Sequence, residues 1–135
     1  MTPDGQLPRS YTCDGVGTAP PLRWGRVPAG TTELVLVVSD PDAPDGRFVH
    51  WTVFGMTGSA RSVPDDAKQG RNDFGKDGWG PPCPPTGSEH RYEFDLYALE
   101  DDSGLDEGAS PEDVIDAVDG ALARGHLVAR YDRIA

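Results

Sequence analysis

Short strand-like segments, separated by stretches rich in glycine and proline, constrain this fold more than any other feature of the sequence. The longest aliphatic run, Leu34 to Val38, is mostly β-branched, and Asp40-Pro41 follows it closely. Such a run is typical of a buried strand, which we expect over residues 32–39. The chain also holds 17 glycines and 13 prolines, so irregular loops must join its regular elements.

Further segments show the two-residue period of a strand. In residues 48–54, the alternation places His50 on the same face as Phe48. Residues 91–99 alternate aromatic or aliphatic side chains with charged ones, which indicates one core face and one solvent face. Residues 127–131 are a fourth candidate strand.

One helix is predicted late in the chain, at about residues 110–124. Ser110 is placed to cap it, Pro111 suits its first turn, and Gly125 is expected to end it. Because strands dominate and the helix comes late, the sequence favours an all-β fold, an antiparallel β-sandwich with one peripheral helix, over an alternating α/β fold. The length of 135 residues predicts a single domain, 1–135.

The excess of acidic over basic residues narrows the classes of molecule that this protein is expected to bind. The formal net charge is -11, which argues against nucleic acid as a partner. Eleven acidic and no basic residues lie between Glu93 and Asp119, a pattern typical of a solvated face.

Residues 1–9 contain no apolar core of a signal peptide, and no apolar run is long enough for a membrane span.

The two cysteines, Cys13 and Cys83, do not by themselves predict a disulfide framework. We therefore expect free thiols and a reduced, cytoplasmic protein. Whether the two cysteines lie close together is left open by the sequence.

Four side chains are candidates for a ligand pocket: Asp40, His50, His90 and Tyr92. Imidazole and phenol groups donate hydrogen bonds to anionic oxygens, so this set suits a phosphate or carboxylate ligand. We expect Asp40 to accept a hydrogen bond from His50 and to favour its charged form, or else to receive an ammonium group of the ligand. Residues 58–89 have little periodicity, and a loop of this length usually carries function.

The same residues also allow other interpretations. The residue types match a metal site of two histidines and one carboxylate formed by Asp40, His50 and His90. No tight spacing in the sequence supports such a site. A proline-fixed turn at Asp40 and a core histidine at His50 would be purely structural. No G-x-S-x-G motif is present, and neither cysteine has a histidine nearby in sequence. We expect no enzyme activity, no metal and no cofactor.

Several spaced motifs occur in order from about Gly5 to Tyr131. They are Tyr11-Thr12-Cys13-Asp14-Gly15, Pro20-Pro21-Leu22, Trp24, Asp40-Pro41-Asp42-Ala43-Pro44, Phe48-Val49-His50-Trp51, Asn72-Asp73-Phe74-Gly75, Gly80 to Pro85 with Gly87, His90-Arg91-Tyr92 and Leu96-Tyr97-Ala98-Leu99. Together they resemble the phosphatidylethanolamine-binding protein family, and the later ones resemble its bacterial Raf kinase inhibitor-like branch.

The resemblance implies an antiparallel β-sandwich with Greek-key character and a small anion pocket near one end, without catalytic activity. Trp79 and Pro81 stand where bacterial relatives usually carry tyrosine and glycine. The ligand-binding residues carried over from the family are Asp40, His50, Gly80, Pro84, Pro85, His90 and Tyr92, with Asp42, Trp51 and Trp79 as supporting residues.

The expected function is therefore a non-enzymatic binding protein for small phosphorylated or anionic ligands, such as a phospholipid head group like phosphoethanolamine. It is expected to regulate a partner protein. The alternative is a protein inhibitor of proteases or kinases that acts through the long loop. A metal-dependent hydrolase is a distant third, and a homodimer is a further expectation.

Overall fold

A computed structural model describes residues 5–133 of the chain. Its elements are a short 3-10 helix at Arg9–Tyr11, strands β1 (Glu33–Asp40), β2 (Phe48–Thr57), β3 (Lys68–Gln69), β4 (Glu89–Leu99) and β5 (Ala123–Asp132), and helix α1 (Pro111–Ala117). None of the helices in this part of the chain is long and apolar enough to cross a membrane.

The strands form an antiparallel five-stranded sheet in the order β3-β2-β1-β4-β5. Strands β1, β2 and β3 follow one another, and β4 then returns to lie beside β1. This order is the Greek-key arrangement. The all-β antiparallel fold with Greek-key character is thereby confirmed.

Both faces of the central strand β1 are covered. One face carries Leu34, Leu36 and Val38, and long irregular segments with partly buried aromatic and aliphatic side chains pack over it. The other face carries Val35 and Val37, which pack with residues of α1. Because β1 is buried on both faces, its sequence is a continuous aliphatic run rather than an alternation.

The predicted strands are present with small shifts at their ends. The segments expected at 32–39, 48–54 and 91–99 correspond to β1, β2 and β4. The candidate at 127–131 is part of the longer strand β5, which pairs with β4 over ten residues.

The late helix is shorter than the expected 110–124. It begins as predicted, since the Ser110 hydroxyl accepts a hydrogen bond from the Asp113 amide, but it ends at Ala117. Gly120 adopts a positive φ of 83°, which turns the chain out of the helix. The prediction that Gly125 ends the helix was wrong, because Gly125 pairs with Leu96 within the sheet.

Candidate functional site

A small cleft lies where the end of β1 and the starts of β2 and β4 meet the neighbouring irregular segments. Its volume is about 140 Å³, well below the roughly 300 Å³ at which pockets for larger ligands begin. The cleft therefore suits a small chemical group. Its lining residues are Asp40, Ala43, Pro44, Phe48, His50, Phe74, Cys83, Pro84, Pro85, His90 and Tyr92.

Asp40 is the last residue of β1 and is 3% exposed. One of its carboxylate oxygens accepts a hydrogen bond from His90 Nδ1 at 2.5 Å, and the other accepts from the Asp42 amide at 2.8 Å. The prediction that Asp40 accepts a hydrogen bond from His50 was thus wrong. Asp40 bonds to the histidine of β4, because β1 and β4 are adjacent antiparallel strands.

Asp42 holds the turn after β1 against the start of β4. Its carboxylate accepts one hydrogen bond from the Arg91 amide at 2.9 Å. It accepts two more from the Arg91 guanidinium, at 2.8 and 3.0 Å. These bonds to Arg91 outweigh partial burial and lower the pKa of Asp42 to about 2. Asp42 does not line the cleft, and its role is to keep Asp40 beside His90.

His50 occupies an irregular position in β2. Val38 pairs with Trp51 and Ser39 pairs with Val49, so His50 is one extra residue on β2 between two successive pairs. Such a bulge bends a strand and re-aims its side chain, and bulges are common beside functional sites. It brings His50 into the same cleft as the end of β1 and the start of β4.

A loop clamps this bulge from outside the sheet. His50 Nδ1 lies 2.7 Å from the Gly80 carbonyl oxygen, and the Gly80 amide donates to the His50 carbonyl at 2.8 Å. One residue earlier, the Val49 amide donates to the Asp73 carboxylate at 2.7 Å. The ring of His50 is therefore held in one orientation by the backbone of residues 70–80.

Burial sets the protonation of two groups in the cleft. It lowers the pKa of His50 below the ordinary histidine value, against the opposing effects of the Gly80 hydrogen bond and the Asp40 charge. Burial and the Asp40 charge also raise the pKa of Tyr92 far above its usual range, so this phenol keeps its proton. The expected cationic form of His50 is thus disfavoured by its burial.

Aromatic side chains form one wall of the cleft. Phe48 and Phe74 meet edge to face with ring centroids 4.7 Å apart, and Phe74 also lies 5.5 Å from the ring of His50. Phe74 is 50% exposed and stands at the mouth of the cleft. Asn72 fixes it there, since its side-chain oxygen accepts a hydrogen bond from the Phe74 amide.

Six of the predicted ligand-binding residues line the cleft: Asp40, His50, Pro84, Pro85, His90 and Tyr92. Gly80 lies behind the lining. A Cβ atom there would lie 2.4 Å from the Phe74 ring, so glycine is needed for Phe74 to pack in its place. The supporting role of Gly80 is to seat Phe74 and to hold His50.

Trp51 and Trp79 lie away from the cleft. Their rings pack edge to face at 5.5 Å, Trp51 donates a hydrogen bond to Gln69, and Trp79 donates to the Tyr11 carbonyl oxygen. Both tryptophans therefore stabilise the segments beside the sheet and do not contact a ligand in the cleft.

Sequence reasoning did not predict the two phenylalanines of the lining, Phe48 and Phe74. Phe48 shares its strand face with His50 in the two-residue alternation, which was a usable signal. Phe74 had no signal beyond its place in the Asn72-Asp73-Phe74-Gly75 motif. Its position depends on contacts with Phe48 and Gly80, which only the fold brings together.

Cys13 and Cys83 form a disulfide, with an S–S distance of 2.08 Å. The prediction of two free thiols is thus wrong for this structure. The bond ties the proline-rich segment that carries Pro84 and Pro85 to the N-terminal region. Their 70-residue separation in sequence gave no indication of this proximity.

The geometry gives no support to the metal alternative. Asp40 and His90 are bonded to each other, and Nδ1 of His50 is bonded to a backbone carbonyl. Across residues 5–133, no three side chains of His, Cys, Asp or Glu come together in an arrangement that could hold a metal ion.

An antiparallel sheet with a small cleft of polar and aromatic side chains at one end of its strands is the structure of a small all-β ligand-binding protein. The chain belongs to the phosphatidylethanolamine-binding protein family, whose model matches residues 1–132. The bacterial branch suggested by the later motifs stays a prediction.

Similar proteins agree with this assignment. A UPF0098 protein of Aquifex aeolicus is 43% identical over 140 residues, covering 95% of this chain and 82% of the relative. Another, of Methanothermobacter thermautotrophicus, is 43% identical and covers 96% and 92%.

Two solved structures share the fold. The crystal structure of CT736 of Chlamydia trachomatis, a putative homolog of phosphatidylethanolamine-binding protein, matches with a TM-score of 0.88 and 37% identity over 95% of this chain and 90% of that one. YbcL of E. coli, described as a new member of the mammalian family, matches with a TM-score of 0.86 and 32% identity over 94% and 90%.

Proposed function

We propose that this chain is a non-enzymatic binding protein that holds the phosphorylated or anionic group of a small ligand in the cleft. One observation carries this proposal: His50, His90 and Tyr92 converge on a cavity of about 140 Å³. That volume accommodates a group of phosphate size, and imidazole and phenol are hydrogen-bonding partners for its oxygens and hydroxyls.

The buried Asp40 carboxylate is compatible with an anionic ligand. Its two oxygens already accept hydrogen bonds from His90 and from the Asp42 amide. These bonds disperse its negative charge within the protein. The role of Asp40 is to fix the ring of His90, while the ligand meets the far side of that ring.

The lining also supports a binding role rather than catalysis. Among the described residues that line the cleft, there is no serine or threonine, and the Cys83 sulfur is bonded to Cys13. The cleft therefore offers no hydroxyl or thiolate nucleophile other than the phenol of Tyr92, whose raised pKa keeps it protonated.

Calorimetric titration with phosphoethanolamine and with inorganic phosphate tests the proposal. Replacing Tyr92 by phenylalanine removes one hydrogen-bond donor, and His90→Ala removes one ring from the cleft. Hydrogen bonds to charged groups contribute about 1.5 to 3 kcal/mol, so Tyr92→Phe should weaken binding by roughly tenfold or more.

His126 provides a matched control for these variants. It is the third histidine of the chain, lies on β5, and bonds to Asp95 outside the cleft. His126→Ala should leave the affinity unchanged. Equal affinities for wild type, Tyr92→Phe and His90→Ala would place the ligand elsewhere and refute the proposal.

The proposal also includes the regulation of a partner protein and the formation of a homodimer. If the chain instead inhibits a protease or a kinase through its loop surface, His90→Ala should leave inhibition intact while it reduces phosphate binding.

Light scattering coupled to size-exclusion chromatography tests the expected homodimer, and a monomer at micromolar concentration would contradict it.

The compartment follows from the state of the cysteines. The cytoplasmic location stays a prediction, whereas the disulfide between Cys13 and Cys83 favours an oxidising compartment, because cytosolic thiols are kept reduced. Thiol counting in freshly lysed source cells distinguishes the two. Two free thiols would support the cytoplasm, and none would support an oxidising compartment.

A further inference from the structure

The partners of His50 determine which of its ring nitrogens carries hydrogen. Nδ1 lies 2.7 Å from the Gly80 carbonyl oxygen, and a carbonyl oxygen can only accept. Nδ1 must therefore be protonated whenever this bond is made. In the neutral ring, Nε2 is then left with a lone pair and acts as an acceptor.

His90 has the same arrangement, with its Nδ1 donating to the Asp40 carboxylate. Within residues 5–133, neither Nε2 makes a hydrogen bond, and neither is fully shielded from solvent. Both Nε2 atoms are therefore accessible from the cleft that the two rings line.

The charged and titratable groups that face these rings are mainly carboxylates. The pKa of His50 is shifted by the charges of Asp40, Asp73 and His90, and the Asp42–Arg91 ion pair lies beside His90. No lysine or arginine occurs among the described residues that line the cleft. Although the two aspartates favour a charged His50, its burial outweighs them and lowers its pKa.

An anion without a proton is poorly matched to the lone pair on Nε2 of the neutral His50 ring. Its oxygen would face the lone pair of His50 Nε2, and both groups would lose their hydrogen bonds to water without replacement. An anion that carries its own hydroxyl has no such difficulty, because the hydroxyl donates to Nε2 while the other oxygens accept from Tyr92.

We propose that the cleft selects phosphate monoesters that carry one proton, whose P–OH group donates to Nε2 of His50, over sulfate monoesters and phosphodiesters of the same charge. This inference rests on the proposed function and names the class of ligand for that site. A phosphate monoester loses its second proton with a pKa of about 6, whereas sulfate monoesters and phosphodiesters have no proton to lose in this range.

Three small probes separate these chemistries: methyl phosphate, methyl sulfate and dimethyl phosphate. At about pH 5.5, each carries mainly one negative charge, so they differ chiefly in the presence of a P–OH group. We expect methyl phosphate to bind at least about tenfold more tightly than the other two in NMR shift titrations. Its affinity should fall as the pH rises to about 8, because the ligand loses its proton.

A ring variant assigns the selectivity to His50. His50→Phe keeps a planar ring but removes Nε2, so the preference for methyl phosphate should disappear, whereas His126→Phe, outside the cleft, should retain it. A preference that persists in His50→Phe would overturn the assignment. Should His50→Phe fail to fold, nitrogen-15 NMR of the wild type replaces it: an unprotonated Nε2 of His50 at about pH 5.5 supports the inference, and a protonated one overturns it.

The outcomes also separate this inference from the proposed function. Equal binding of the three probes, or tighter binding of the sulfate, would overturn the selectivity while the anion-binding function stands. Absence of binding by all three probes, by phosphoethanolamine and by inorganic phosphate at both pH values would refute the proposed function itself.

Discussion

Reduction of the Cys13–Cys83 disulfide should substantially destabilise this protein. The bond closes a chain loop with a sequence separation of 70 residues. In the chain-entropy treatment, opening a loop of that length raises the entropy of the unfolded state enough to lower the free energy of unfolding by about 4 kcal/mol. Disulfides typically contribute about 2 to 4 kcal/mol, so we expect a loss in this range.

Urea unfolding with and without a reductant measures this loss. With a slope of about 2 kcal/mol per molar urea, the midpoint should fall by about 1 to 2 M. The double variant Cys13→Ala/Cys83→Ala is the matched control, because it should unfold like the reduced wild type and should not respond to reductant.

Coincident unfolding curves for oxidised and reduced wild type would refute the reasoning, as would a response of the double variant to reductant. The same reduction should also weaken phosphate binding, because Cys83 lines the cleft beside Pro84. Calorimetry of the reduced protein checks this consequence.

Three further predictions concern the site and the core. Because the folded-state pKa of Asp42 is lowered from 3.8 to about 2, its contribution to stability is present above pH 3.8 and is lost as the pH falls towards 2. Because the Asp42–Arg91 pair is partly exposed to solvent, that contribution is reduced to about 1 kcal/mol. Asp42→Asn should abolish this part of the acid dependence of stability, as measured by urea titrations at several pH values. Gly80→Ala should displace Phe74, destabilise the fold by about 1 to 3 kcal/mol and weaken phosphate binding, whereas Gly25→Ala, whose added methyl group meets nothing within 4 Å, should do neither. Met56→Ala in the core should cost about 2 to 5 kcal/mol, and truncation of the exposed Val16 to alanine less than about 0.5 kcal/mol, as measured by thermal or urea unfolding.

The strands of this chain were predictable because their signal is local. The aliphatic run of β1 and the alternation in β4 reflect which faces are buried, and both patterns can be read within a few residues. The cap at Ser110 is equally local, and it was predicted together with the start of the helix.

The end of that helix was not predictable from local pattern. Apolar residues continue at a helical spacing past Ala117, but the Leu122 amide bonds to the Ala98 carbonyl and residues 123–132 pair with β4. Pairing with a strand that is distant in sequence outweighed the weak helical preference of this short segment.

The sequence by itself determined the all-β class, the approximate positions of four of the five described strands and the polar residues of the cleft. The tertiary structure decided how those residues are paired. Asp40 bonds to His90, 50 residues away, because β1 lies beside β4, and His50 bonds to the Gly80 carbonyl because a one-residue bulge in β2 meets the loop there. Hydrogen bonds depend on distances of about 3 Å between atoms, and for residues so far apart in the chain only the folded sheet sets those distances.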